Sequence, residues 1–83
     1  MHERALMRDV LARVEDAARS EGATRVTRVA VRVGTLSHLT PEHFREHFAD
    51  AARGTVADGA VVDVAIDGRG ADVLLESVDV EVC

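Results

Sequence analysis

Lysine is absent from the chain, as are tryptophan and tyrosine, and cysteine and proline occur once each. A single cysteine, Cys83, excludes an internal disulfide and any zinc site built on a cysteine cluster. With only Phe44 and Phe48 as aromatics, valine, alanine and leucine must fill the core. The missing lysine says less, because an all-arginine basic set is what a GC-rich genome produces. The ten arginines are outnumbered by fifteen acidic residues, and the net charge of -5 argues against a nucleic-acid partner. No long hydrophobic run is present and the N-terminal segment is charged throughout. Neither a secretory leader nor a membrane span is therefore expected, which makes a cytoplasmic protein the default. Eighty-three residues make one small domain, 1–83. A chain of that size buries about 60% of its unfolded surface, so its core is thin and self-association would help it.

What is present reads as five elements without a linker or low-complexity tract. Leu6, Val10, Val14 and Ala17/Ala18 recur at helical spacing, with Met7 and Leu11 widening the stripe, which predicts a helix from about Glu3 to Glu21. Arg4, Arg8, Arg13, Asp16 and Arg19 fill its other faces. Gly22 stands where a left-handed C-terminal residue belongs. Arg25 to Val33 alternates as a strand, and Gly34 releases the chain into Thr35-Leu36-Ser37-His38-Leu39. A second helix starts with Thr40 as N-cap and Pro41 in the first turn, with Leu39 and Phe44 placed as a hydrophobic staple. Phe44, Phe48 and Ala51 form its apolar stripe, and Gly54 ends it.

Val61 to Asp67 reads as a second strand, with Val62, Val64 and Ile66 on one face. Gly68-Arg69-Gly70 then reads as a hairpin loop. The final strand, from about Asp72 to Val82, changes phase: Val73 and Leu75 are odd, Val78, Val80 and Val82 even. A β-bulge at Glu76-Ser77 would return both sets to one face. The order α-β-α-β-β implies an α/β (α+β) fold. Its sheet is mixed and three-stranded: the first two strands are parallel through a right-handed crossover, the third is antiparallel to the second, and both helices lie on one face. The other face, partly bare, is a place for a homo-oligomer contact.

The chemistry concentrates at Met1-His2-Glu3. A histidine in second place sets an imidazole beside an α-amine and an unpaired backbone amide. The Met1 amine and His2 amide close a five-membered chelate ring; the His2 amide and its own ring close a six-membered one. The fourth position falls to the Glu3 amide, the Glu3 carboxylate or water. Tetragonal nitrogen sets suit Ni(II) or Cu(II). The first N–H groups of a helix have no intrahelical partner, so deprotonating them breaks no ladder bond. The dipole there opposes a cation, and the deprotonated amides and Glu3 offset it. The same three residues also read as an ordinary solvated terminus.

Other groups are weaker as sites. His43 and His47 lie four apart on one helical face and could share a metal, yet Glu42, Arg45 and Glu46 beside them fit a solvated face equally well. His38 lies in a loop and Cys83 at the last position. A triad of Ser37, His38 and Asp50 has no nucleophile elbow around the serine. Gly68-Arg69-Gly70 lacks the third glycine of a dinucleotide fingerprint. Nothing here indicates an enzyme.

Taken together, Met1-His2-Glu3 opening a helix, Gly22-Ala23-Thr24-Arg25-Val26-Thr27-Arg28-Val29, Val33-Gly34-Thr35-Leu36-Ser37, Pro41-Glu42, Arg53-Gly54-Thr55-Val56-Ala57-Asp58-Gly59-Ala60 and Leu75-Glu76-Ser77-Val78-Asp79-Val80 make a layout that resembles the HypA/HybF family. These are the nickel-incorporation metallochaperones of NiFe-hydrogenase maturation. The resemblance implies a carrier that holds Ni(II) at His2 and Glu3, with backbone nitrogens from Met1 onward among the ligands. It would pass the ion to a hydrogenase-maturation GTPase or the hydrogenase large subunit. One departure is large. The family carries a zinc domain on two Cys-x-x-Cys pairs before the final strand, where this sequence has Gly68-Arg69-Gly70-Ala71, so zinc is not expected. The rival expectation is a metal-free interaction paralogue that keeps the fold and a partner surface.

Overall fold

The computed structural model describes residues 3–37 and 39–82. Met1, His2, His38 and Cys83 lie outside the described residues, as does the side chain of Glu3. Helix α1 (Glu3–Ser20) leads to strand β1 (Arg25–Val33) and a 3-10 turn at Thr35–Ser37. Helix α2 (Pro41–Ala52), strand β2 (Val61–Ile66) and strand β3 (Val73–Glu81) follow.

The α1 stripe is where the periodicity put it: Met7, Val10, Leu11, Val14 and Ala18 are buried. The helix stops in a Schellman motif. Gly22 takes φ +65° and donates to Arg19 O at 3.0 Å, while Ala23 donates to Ala18 O at 2.9 Å. At the start of α2, Thr40 caps the helix by accepting from the His43 amide at 3.1 Å, directly ahead of Pro41. Phe44, Phe48 and Ala52 turn inward, the two phenyl rings stacked with centroids 6.3 Å apart. Ala52, not Ala51, completes the stripe, because Ala51 sits at the rim of the helix interface, only half-buried.

The sheet is mixed, in the order β2-β1-β3, with β1 parallel to β2 and antiparallel to β3. The expected strand directions hold, but β2 and β3 are not neighbours. The segment 67–72 is therefore not a hairpin loop. It crosses the end of β1 and is stitched to it. The Gly34 amide donates to Asp72 O at 2.9 Å, the Leu36 amide to Gly70 O at 2.8 Å and Thr35 Oγ1 to Gly68 O at 2.9 Å. Burial explains the order. Val26, Val29, Val31 and Val33 of β1 are all at most 2% exposed, which suits the middle of a sheet and neither edge.

The phase change in β3 is a bulge. Ala30 pairs with Ser77 and Val31 with Leu75, so Glu76 is the extra residue and Val73, Leu75, Val78 and Val80 all face the helices. A second bulge lies in β1, where Val26 pairs with Val80 and Arg28 with Asp79, leaving Thr27 over. The Val26 amide donates instead to Val56 O at 2.8 Å, in the turn after α2. Both helices cover one face: α1 lies against β1 and β3, α2 against β2. Among the described residues no second layer covers the other face, whose middle holds ion pairs. Arg28 reaches Asp63, and Arg32 meets Glu76 at 3.1 Å and Asp67 at 3.4 Å. Among the described residues no helix is long and apolar enough to cross a membrane.

Candidate metal centre

Helix α1 begins at Glu3, so the backbone of Glu3 enters the helix at the end where amides have no intrahelical acceptor. Met1 and His2, the other members of the expected nickel site, lie outside the described residues. The first two turns of α1 and the outer half of α2 form an open groove lined by Arg4, Met7, Arg8, His47, Asp50 and Ala51. Met7 and Ala51 floor it, and the charged groups stand at its rim. Arg53 binds the Asp50 carboxylate at 2.8 Å.

His43 and His47 stand side by side on α2, ring centroids 6.0 Å apart and tilted by 59°. His43 is exposed and His47 half-buried. Their helix face is set by its neighbours. Phe44 and Phe48 are 0% and 1% exposed, which leaves the adjacent histidines facing outward. Among the described residues, no three histidine, cysteine or acidic side chains converge as a metal site. The structure therefore brings His43 and His47 together and places His47 beside the first turns of α1. His38 and Cys83 are outside what is described.

The paper triad of Ser37, His38 and Asp50 gains nothing. Ser37 Oγ accepts from the Leu39 amide at 3.2 Å and so shapes the turn before α2, while Asp50 is held by Arg53. What sequence reasoning missed is the groove. Arg4 and Arg8 read locally as a solvated face, and only the packing of α1 on α2 sets them opposite His47 and Asp50. No local signal could have found that.

Comparison with known proteins gives one answer. Residues 1–71 match the family model described as "Hydrogenase/urease nickel incorporation, metallochaperone, hypA". The hydrogenase maturation factor HypA of Methylocella silvestris is 42% identical over 66 residues, covering 80% of this chain and 58% of that protein. Its counterpart from Dechloromonas aromatica is 41% identical over 71 residues, covering 84% of this chain and 63% of that one. The chain thus spans about three-fifths of the length of these curated relatives. The solution structure of the nickel metallochaperone HypA from Helicobacter pylori superposes with a TM-score of 0.82 across 99% of both chains, at 16% identity. That likeness establishes the fold.

Proposed function

The chain belongs to the HypA family of hydrogenase and urease nickel-incorporation proteins, and from that premise we propose that it carries Ni(II) at Met1-His2-Glu3 for hydrogenase maturation. One observation carries the reading. The family match begins at residue 1, so the Met1-His2-Glu3 run lies inside the matched segment, directly where α1 starts. The donor set is chemically suited to the cargo: an amine, one or two backbone amides and an imidazole, with the Glu3 carboxylate or water to complete it. Each nitrogen gives up a proton, so loading weakens in acid.

The mechanism is carriage without catalysis. A site with few protein ligands leaves room for an incoming donor. The ion can then leave by ligand exchange, one bond replacing another, while the fold behind it stays intact. The recipient is a maturation GTPase or the hydrogenase large subunit, and the setting is cytoplasmic. By the family resemblance a zinc module would be inserted between β2 and β3, where this chain has the six-residue connection 67–72, and on our reading the carrier works without a cysteine-cluster zinc there. The same feature is what would favour the rival, a metal-free paralogue that keeps only the partner surface.

Calorimetric titration of untagged protein with Ni(II), beside His2→Ala, separates the two. Binding that falls at least tenfold on substitution supports the carrier. Binding at the N-terminus that survives the substitution sinks the His2 site, and no nickel binding in wild type favours the rival.

A further inference from the structure

We propose that His43 and His47 form a second divalent-metal site on the outer face of α2. Its protein ligands are these two imidazoles, and the Met1-His2-Glu3 donors are not among them. The argument starts from the frame. Thr40 and Pro41 fix the first turn, and Phe44 and Phe48, fully buried, fix the rotation of the helix about its axis. The two histidines, four residues apart, therefore share a face that cannot turn inward. Their rings are already neighbours at 6.0 Å between centroids. A metal bound by two imidazoles at about 2.0–2.1 Å needs those rings somewhat closer. Small torsions of the exposed His43 ring supply that.

The surrounding charges set the strength. Glu46 and Asp50 lie on the same side of α2 and favour a cation. Arg4 and Arg8, across the groove from His47, oppose it. The dipole of α2 also opposes a cation near His43, which sits in the first turn. With no third protein ligand among the described residues, water fills the remaining positions. The outcome is a weak, open, two-imidazole site. Imidazole pairs take borderline divalent ions, with Cu(II) bound more tightly than Ni(II) or Zn(II). Because His47 lines the groove that begins at Arg4, such an ion would sit on the side of the molecule where α1 starts.

The test uses the full untagged chain with Ni(II) as probe, in a His2→Ala background. Calorimetry should show residual binding in His2→Ala that weakens at least tenfold when His43→Ala and His47→Ala are added. Paramagnetic broadening of amide resonances should centre on α2 in His2→Ala and vanish in the triple variant. His43→Gln with His47→Gln repeats the measurement should the alanine pair disturb the helix. Residual binding that ignores both pairs of substitutions overturns the proposal, as does a His2→Ala protein with no nickel-dependent broadening on α2. Failure of the N-terminal reading looks different. There wild type and His2→Ala bind alike, and the α2 signal is unaffected.

Discussion

Replacing Gly34 with alanine should cost the fold about 2–3 kcal/mol, by the following reckoning. A Cβ built on Gly34 would lie 2.3 Å from the Gly70 carbonyl oxygen and 2.8 Å from its carbon. Both partners are backbone, so no flexible side chain can swing away. The 67–72 connection must lift off the end of β1. Overpacking of this kind costs typically about 1–3 kcal/mol. Lifting the connection also strains the bonds from the Gly34 amide to Asp72 O and the Leu36 amide to Gly70 O. Each is worth about 1 kcal/mol net. Against this, alanine lowers the entropy of the unfolded chain and returns roughly 0.4–1 kcal/mol. At about 4–8 °C per kcal/mol for a domain of this size, the midpoint should fall by roughly 10–20 °C. Urea and thermal unfolding followed by circular dichroism read both quantities. A Gly34→Ala protein within about 0.5 kcal/mol of wild type, the scatter of neutral surface substitutions, would refute the crossing path assigned to this segment and with it the central place of β1.

Two further outcomes follow from the same packing. Phe44→Ala removes a ring that is 0% exposed in a core with only two aromatics, and should cost about 3–5 kcal/mol, read by urea unfolding. Thr40→Ala deletes the acceptor for the His43 amide and should cost about 1 kcal/mol by the same assay, with Thr40→Ser restoring most of it.

Much of the fold could be read from local chemistry. Gly22 and Thr40-Pro41 are capping signals whose meaning is confined to one turn of chain, and both act as that chemistry requires. The bulge at Glu76 was legible because a buried face must be continuous, and only an extra residue reconciles Leu75 with Val78. The bulge at Thr27 left the same mark, since Val26 is out of phase with Val29, Val31 and Val33, but its proof lies in a carbonyl thirty residues away, that of Val56. Sheet order was not legible, because alternation tells which face a residue takes and not which strand lies beside it. The four buried valines of β1 were the available hint that it is the central strand. The groove was invisible for a related reason. Arg4 and Arg8 acquire neighbours only when α1 meets α2. As for the proposed metal site, Met1-His2-Glu3 was legible as chelate chemistry, and the proposal's weight comes from a family match that spans those residues.

The carrier account rests on the Met1 amine acting together with His2. The most direct measurement is a Ni(II) titration of the chain that begins at a free Met1, verified by intact mass, against the same chain acetylated at the Met1 α-amine. Acetylation turns the amine into an amide, supplies no new amine and removes the five-membered amine–amide chelate while leaving every side chain in place. The account predicts that N-terminal nickel affinity drops at least tenfold in the acetylated chain. Equal affinity in the two chains would contradict it.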